Sequence, residues 1–101
     1  MARKTKLESE FESDYIKRLE DKFPGCEIIK GNSSMRQGIP DRLLLWEDNW
    51  AFLEFKRRDG SDLQENQDWY IKKFNEMSYA AFVTPENADE VLDEIQAAFR
   101  R

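Results

Sequence analysis

The stretch of sequence that decides the fold is residues 38–56, which read GIPDRLLLWEDNWAFLEFK. Two nearly continuous apolar runs flank a short polar break at residues 47–49, a pattern that predicts a β-hairpin. Because the apolar residues do not alternate with polar ones, both faces of this hairpin are expected to be covered. Three charged residues stand out from it, Asp41, Glu54 and Lys56, and they are the first candidates for a functional site.

These three charged residues share one face of the hairpin if its two-residue turn is Asp48-Asn49. Side chains alternate across a strand, so Glu54 and Lys56 point to the same face. That turn places Asp41 opposite Lys56, and directly opposed residues also share a face. The hairpin would then carry a cluster of two carboxylates and one ammonium group at its end.

The chemistry of such a cluster favours a metal ion. Two carboxylates held close together repel each other unless a positive charge lies between them, and Mg²⁺ typically takes one or two carboxylates with waters and a phosphate. A neighbouring Lys can position a nucleophilic water or offset the charge that develops on a phosphate oxygen. The pattern therefore fits metal-assisted hydrolysis of a phosphodiester. An ordinary ion pair at the end of a strand is the alternative.

The same residues carry a resemblance to a known family. Pro40-Asp41 followed by Glu54-Phe55-Lys56 resembles the PD-(D/E)XK nuclease signature. The wider string Gly-Ile-Pro-Asp-Arg, with Gln67 eleven residues after Lys56, resembles the VRR-NUC branch, in particular its small stand-alone members of viral type. The resemblance covers roughly residues 8–84. It implies an α/β fold with the αβββαβ core of restriction endonucleases, in which helices flank a mixed sheet.

The resemblance implies a role for each matching residue. Asp41 and Glu54 are expected to bind Mg²⁺ or Mn²⁺ together with the backbone carbonyl of Phe55. Lys56 is expected to position the water and to stabilise the transition state, and Gln67 to orient Lys56 or the water. The implied activity is a Mg²⁺-dependent DNA endonuclease that selects branched DNA such as a Holliday junction. The implied origin is a phage or a prophage.

A first amphipathic helix is predicted from about Leu7 to Lys22, because apolar residues recur every four positions until Pro24-Gly25 ends the pattern. Glu8 and Glu12 lie one turn apart beside the apolar stripe, so both could reach a site. In the family that the chain resembles, an early helix Glu completes the set of metal ligands. The spacing favours Glu8, then Glu12 and then Glu10. Solvated helix carboxylates are the alternative for each of them.

The remaining segments complete the predicted order of elements. Short strands are expected at 26–30 and 79–83, and a final helix is expected to begin within 84–87. A second helix is predicted between them, with Asp62 as its N-cap. It runs from about Leu63 to Met77, and its apolar stripe is Leu63, Tyr70, Ile71, Phe74 and Met77. Gln67 is the one polar member of that stripe, so its amide needs hydrogen-bond partners, either in a functional site or on nearby backbone.

Basic and polar residues around the motif are predicted to contact nucleic acid. They are Lys30, Ser34, Arg36, Arg42, Arg57 and Arg58. The alternative is that they are ordinary solvated residues. A net charge of −5 argues against a protein that coats nucleic acid generally, which is usually basic. A bound divalent cation would add positive charge at the site itself.

Composition narrows the class of protein further. A length of 101 residues suits a single domain, 1–101, in which residues 1–6 are expected to be flexible. The chain has no His, which excludes His-based zinc sites and nucleophile pairs that need His as a base. A lone Cys26 cannot form an internal disulfide, and no apolar run approaches a membrane span. A reducing cytoplasm is therefore expected, and the family resemblance implies that it is the cytoplasm of a bacterial host cell.

Two functions stay open at this point. The first is the branched-DNA endonuclease, and the second is a non-catalytic module on the same fold that binds nucleic acid or a protein. For the endonuclease a homodimer is predicted, because two opposed nicks across a junction need two equivalent sites. The three Trp residues, Trp46, Trp50 and Trp69, exceed what so small a core readily buries and are candidates for the interface.

Overall fold

The computed structural model describes residues 6–31, 40–56 and 66–100, including their side chains except those of residues 6–8. The described residues form three helices and four strands: α1 (Lys6–Lys22), β1 (Glu27–Lys30), β2 (Arg42–Trp46), β3 (Asn49–Phe55), α2 (Gln67–Met77), β4 (Tyr79–Val83) and α3 (Ala88–Phe99). Their order confirms the predicted αβββαβ core, to which α3 is added. Of the segment predicted to be flexible, only Lys6 is described, and it begins α1.

The four strands form one mixed sheet in the order β1-β2-β3-β4. β1 pairs with β2, and β2 with β3, in antiparallel fashion, whereas β3 and β4 are parallel. Parallel neighbours cannot be joined by a tight turn, so the chain crosses from β3 to β4 through α2. This crossover brings the first residue of α2 back to the end of β3.

Helices cover both faces of β3. On one face Ala51, Leu53 and Phe55 belong to the core shared with α1 and α3, and the Tyr15 ring meets the Phe55 ring edge-on at 5.8 Å. On the other face the Phe52 ring stacks on Phe74 of α2 at 4.6 Å. The nearly continuous apolar run of β3 is therefore explained by burial on two sides, as predicted. Each fully buried aliphatic side chain of this kind stabilises the fold by about 1.5–3 kcal/mol.

The outer helices bury apolar stripes against the sheet. In α1 the predicted stripe that recurs every four residues is buried at Tyr15 and Leu19, and it continues to Phe23 just beyond the helix. In α3 the buried apolar residues include Val91, Leu92, Ile95 and Phe99, which recur at helical spacing. None of the described helices combines the length and apolar composition needed to cross a membrane.

The hairpin turn differs from the prediction by one residue. The turn is Glu47-Asp48, not Asp48-Asn49, because Trp46 pairs with Asn49, and Glu47 adopts a left-handed φ of 56°. Continued one residue outward, this register places Asp41 opposite Glu54, whereas Lys56 was the predicted partner. When the turn shifts by one residue, the partner of each β2 residue on β3 shifts by two residues, and residues two apart on a strand point to the same face. The side chains of Asp41, Glu54 and Lys56 therefore still share one face of the sheet.

Contacts outside the hairpin account for the observed turn. An Asn in the turn would tolerate the left-handed backbone more readily than Glu47 does, so local preference favours the predicted turn. The Trp46 indole, however, donates to the Pro24 carbonyl at 3.0 Å and packs against the rings of Phe23 and Phe99 at 5.1 and 6.2 Å. We attribute the choice of turn to this anchoring of Trp46.

The second helix begins later than predicted. Asn66, which precedes Gln67, has a left-handed φ of 72°, so a continuous helix from Leu63 is wrong. The predicted start and the Asp62 cap lie outside the described residues. Burial of Met77 is also wrong, since this side chain is 62% exposed at the end of α2.

The last helix begins at Ala88, after a turn that replaces the predicted helical start at 84–87. Thr84 and Asn87 exchange hydrogen bonds between side chain and backbone: the Thr84 N–H donates to Asn87 Oδ1 at 2.8 Å, and the Asn87 N–H donates to Thr84 Oγ1 at 3.2 Å. Such local bonds compete with helical ones, which explains the later start.

The three Trp residues have different environments. Trp46 is half-buried against α1 and α3, and Trp50 is half-buried with its ring edge-on to Phe74 of α2 at 6.2 Å. Trp69, on α2, is 58% exposed. The first two therefore find partners within one chain.

Candidate active site

Four of the predicted site residues meet where β3 ends. Asp41 directly precedes β2, Glu54 lies in β3, Lys56 directly follows it, and Gln67 is the first residue of α2. Glu54 lies on the same face of β3 as Phe52, the face covered by α2, because side chains two residues apart point to the same side. The crossover through α2 then lays Gln67 over Glu54 and Lys56.

A chain of hydrogen bonds connects these side chains. Lys56 Nζ donates to Gln67 Oε1 at 2.7 Å, and Gln67 Nε2 donates to Glu54 Oε2 at 2.8 Å. The other carboxylate oxygen, Glu54 Oε1, accepts the backbone N–H of Asp41 at 3.0 Å. Because an ammonium group only donates and a carboxylate only accepts, the orientation of the Gln67 amide between them is determined. Lys56 Nζ also lies 3.9 Å from Glu54 Oε2.

The electrostatics of the site are dominated by Glu54, which is 5% exposed. Burial, followed by the negative charge of Asp41, raises the pKa of the Glu54 carboxyl from 4.5 to about 7. The Lys56 ammonium and the hydrogen bonds from Asp41 and Gln67 act in the opposite direction but are outweighed. A cation between the two carboxylates would favour the ionised form, so the site has the charge balance of a cation-binding site.

This balance predicts a pH-dependent stability. Between about pH 4.5 and 7 the folded protein retains a proton on Glu54 that the unfolded chain has released. The contribution of Glu54 to stability is therefore lost as pH rises through this window, by on the order of 3 kcal/mol. Asp41→Asn removes the neighbouring charge that raises this pKa. In EDTA this variant should unfold at a higher temperature than the wild type at pH 8, with the difference vanishing near pH 5.

Thermal unfolding followed by circular dichroism across this pH range measures the effect. Asp48→Asn, which changes an exposed carboxylate in the hairpin turn, is the control and should show no such pH-dependent difference. A pH-independent difference between Asp41→Asn and the wild type would mean that the two carboxylates do not interact.

The backbone of β3 also supports the predicted role of the Phe55 carbonyl. Lys56 donates its backbone N–H to Val83 of β4 at 2.8 Å, so the backbone groups of Phe55, one residue earlier, point towards β2. The register, continued past the Arg42–Leu53 pair, places Pro40 opposite Phe55. Pro has no N–H, so β2 supplies no donor to the Phe55 carbonyl there. The Pro of the motif thus leaves the Phe55 carbonyl without a ladder hydrogen bond from residue 40.

Gly31 contacts the Pro40-Asp41 segment of the candidate site, although it was not identified from the sequence. Its N–H donates to the Asp41 carbonyl at 2.6 Å, just beyond the end of β1. A Cβ at this position would lie 2.3 Å from the Pro40 carbonyl oxygen, a distance that side chains do not tolerate. Gly31 therefore allows the Pro-Asp segment to lie against β1. A Gly directly after a predicted strand was the available signal, since it marks a close backbone approach.

Phe82 is a second residue that sequence reasoning missed. It is the β4 register partner of Glu54, and its ring centroid lies 5.9 Å from Lys56 Nζ. A cation over an aromatic face at this distance is attracted by it. Nothing in the sequence near Phe82 indicates this contact, because it depends on the parallel pairing of β3 with β4.

Other predicted site residues lie elsewhere or are not described. Arg42 Nε donates to Glu12 Oε2 at 2.7 Å, on the face of the sheet that α1 covers, opposite to Glu54. Lys30 is the register partner of Arg42 and so shares that face. Glu10 is exposed on α1. The side chain of Glu8 and the predicted contacts Ser34, Arg36, Arg57 and Arg58 lie outside the described residues.

The described residues alone do not complete a metal cage. Within them, no group of three or more His, Cys, Asp or Glu side chains is arranged to hold a metal ion. The candidate donors are the Asp41 and Glu54 carboxylates, which interact electrostatically, and the carbonyl of Phe55, the residue after Glu54. All are oxygen donors, which suits Mg²⁺ or Mn²⁺ rather than a softer metal.

The fold belongs to the α/β class: its αβββαβ core forms a mixed four-stranded sheet flanked by helices. A solved structure described as a VRR_NUC domain has the same fold: it superposes with a TM-score of 0.68 over 85% of this chain and 94% of that chain, at 20% sequence identity. No protein-family model and no curated protein matches the sequence. The predicted fold is thus confirmed, and at this identity the likeness concerns the fold alone.

Proposed function

We propose that this protein is a divalent-metal-dependent endonuclease that hydrolyses phosphodiester bonds in DNA. The observation that carries the proposal is the hydrogen-bonded chain from Lys56 through Gln67 to Glu54, with Asp41 beside it. This arrangement lies on the fold that the chain shares with a VRR_NUC domain. An ordinary surface ion pair would not require a buried carboxylate whose two oxygens and whose neighbouring Lys are all held in place.

Each residue has a role in the proposed reaction. Asp41 and Glu54, with the Phe55 carbonyl and Glu8, would bind Mg²⁺ or Mn²⁺, which when bound supplies positive charge to the scissile phosphate and to the attacking water. Lys56 would donate a hydrogen bond to the oxygen on which negative charge develops. Gln67 acts through its neighbours, because its amide fixes the distance between the Lys56 ammonium and the Glu54 carboxylate.

Branched DNA, and a four-way junction in particular, is the substrate that we propose for this site. The proposal rests on the likeness of the Gly-Ile-Pro-Asp-Arg and Glu-Phe-Lys segments to nucleases of the viral VRR-NUC type. A phage or prophage gene expressed in the cytoplasm of a bacterial host would bring such an enzyme to branched replication intermediates.

Cleavage of a substrate series tests this function. The purified protein is incubated with linear duplex, flap, single-stranded and four-way-junction DNA, with Mg²⁺ or with EDTA, at one fixed low salt concentration because phosphate contacts weaken steeply with salt. We expect Mg²⁺-dependent nicks, most rapid on the junction. Binding to the junction without nicks in any metal would instead identify the non-catalytic module on the same fold.

A homodimer is the assembly that we expect in solution. Resolution of a junction needs two symmetric nicks, and a two-fold dimer is the simplest source of two equivalent sites. Ile29 on the edge strand β1 is 49% exposed, and apolar side chains at a sheet edge favour pairing with another chain. Light scattering should give twice the monomer mass of 12.1 kDa. A monomer mass together with nicks in only one strand of the junction would refute the dimer.

A further inference from the structure

We propose that the exposed side of α2 formed by Trp69, Lys72 and Lys73, here called the α2 platform, binds an unpaired base of the nucleic-acid substrate and its flanking phosphates. The inference deepens the proposed function, on which it rests, by naming the feature of the DNA that this protein would recognise. It also offers an alternative to two of the predicted contacts, Lys30 and Arg42, which lie on the face of the sheet opposite to Glu54.

The distribution of positive charge around the sheet is the first observation. The predicted contacts Lys30 and Arg42 share the face of the sheet that α1 covers, and the Arg42 guanidinium is bound to Glu12. The active-site face is the one that α2 covers. Among the described residues, the basic side chains carried on that side are Lys56 and the exposed pair Lys72 and Lys73.

The position of Trp69 is the second observation. This side chain is 58% exposed, although burial of an indole would stabilise the fold. Its ring contacts the Tyr70 ring at 5.0 Å and 82°, which supports the indole from one side without enclosing it. Trp69 follows Gln67 by two residues, a rise of about 3 Å but a turn of about 200° around the axis, so it lies on the outer side of α2 while Gln67 is buried on the inner side. Helical side chains lean towards the N-terminus, so the indole leans towards the active-site end of α2.

The spacing of the two lysines matches a base and its phosphates. Lys72 and Lys73 follow Trp69 by three and four residues, the spacing at which side chains are neighbours on a helix surface. Nucleic-acid bases stack on exposed aromatic rings, and lysines beside the ring contact the backbone. The platform therefore has both parts of a site for single-stranded nucleic acid, on the outer side of the helix whose first residue, Gln67, belongs to the candidate active site.

The acidic residues of α2 lead us to expect that the platform prefers DNA with unpaired bases to a fully paired duplex. Asp68 and Glu76 are also exposed on this helix, so the net charge of its outer side is small. Phosphate attraction alone would then be weak, and stacking on Trp69 must supply the larger share of affinity. A fully paired duplex keeps its bases stacked inside, whereas flaps and branch points offer unpaired bases. The platform is thus suited to the open strand of a branched substrate.

Binding measured in EDTA tests the platform without requiring cleavage. Fluorescence anisotropy with labelled single-stranded, flap and fully paired DNA gives a Kd for each. Trp69→Ala should weaken binding of the first two by about 5- to 100-fold, the loss of one stacked base, and should change duplex binding little. Trp69→Phe should retain most of the affinity. Met77→Ala, an exposed apolar position on the same helix, is the matched control and should bind as the wild type does.

The lysines are tested through the salt dependence of binding. The double variant Lys72→Gln/Lys73→Gln should lower the slope of log affinity against log salt by about 1.4 for single strands. Lys17→Gln/Lys22→Gln, on exposed positions of α1, is the matched control and should leave the slope unchanged.

Three outcomes would overturn the platform. They are an unchanged Kd in Trp69→Ala, no binding of any DNA by the wild type, and a fall from dimer to monomer mass in Trp69→Ala with unchanged affinity per chain. The last would assign Trp69 to self-association. The two proposals fail separately, because a wild type that binds flaps through Trp69 but never cleaves them contradicts only the nuclease function.

Discussion

Asp41→Asn should reduce DNA cleavage by about 10³-fold or more while the protein stays folded. The change removes one of the two carboxylates proposed to hold the metal ion, and with it the charge stabilisation that the ion gives to the transition state. The side chain keeps nearly the same volume, so packing around it is preserved. Cleavage of supercoiled plasmid with saturating enzyme and Mg²⁺ measures the effect, and EDTA should reproduce it with the wild type.

Asp41→Asn isolates this charge better than the equivalent change at Glu54. Both Glu54 oxygens accept hydrogen bonds, from the Asp41 N–H and from the Gln67 amide. An amide at position 54 offers one acceptor to two donors, so Glu54→Gln removes a charge and also breaks the hydrogen-bonded chain. It should abolish cleavage as well. Asp48→Asn is the control for loss of an exposed carboxylate and should cleave DNA at the wild-type rate. Full activity of Asp41→Asn would refute the proposal that two carboxylates hold the metal ion.

Lys56→Ala should lower the cleavage rate by about 10²- to 10³-fold and leave the Kd for DNA nearly unchanged. Its ammonium group is held by the Gln67 carbonyl oxygen at 2.7 Å, and we expect its main interaction with the substrate to form in the transition state. Single-turnover rates and Kd values measured separately on the same junction distinguish the two effects. Lys17→Ala, an exposed Lys on α1, is the matched control.

Gln67→Ala should lose less activity than Lys56→Ala, because the amide acts through its neighbours. Without it, Lys56 Nζ and Glu54 Oε2 lose the group that bridges them, although the two remain within reach of each other at 3.9 Å. If the Lys56→Ala protein cleaves at the wild-type rate, Lys56 has no role in catalysis and only forms a structural ion pair. The proposed role of Gln67 in positioning Lys56 would then also be wrong.

Most of the secondary structure could be predicted from the sequence, because helices and strands follow from the local spacing of apolar residues. The four-residue repeat of α1 predicted that helix within one residue at each end, and the two apolar runs predicted the two strands of the hairpin. The turn between the runs was misplaced, since its position depends on how Trp46 packs against α1 and α3. The start of α2 was misplaced too, because nothing local indicates that Asn66 leaves the helical conformation.

The candidate site was predictable to the extent that it lies on one strand. Alternation of side chains along a strand predicts that Glu54 and Lys56 share a face. This prediction does not depend on the hairpin register, so it holds although the turn was misplaced. The pairing of Glu12 with Arg42 was not predictable, because it depends on where α1 crosses β2. Alternation from Asp41 already implies that Arg42 lies on the face opposite to Glu54, which argues against its predicted contact at the site. The face of Lys30 was not predictable, because it depends on the register of β1 with β2.

Growth of the sheet is limited at its β4 edge. Three backbone groups that point away from β3, two in β4 and one in the residue after it, are occupied. The Ala80 N–H is bound by the Asn75 side chain, and the Phe82 carbonyl and Thr84 N–H are bound by that of Asn87. An added strand would have to displace two amide side chains from this edge. The β4 edge therefore opposes strand addition, which disfavours growth of the sheet from both edges into a fibre.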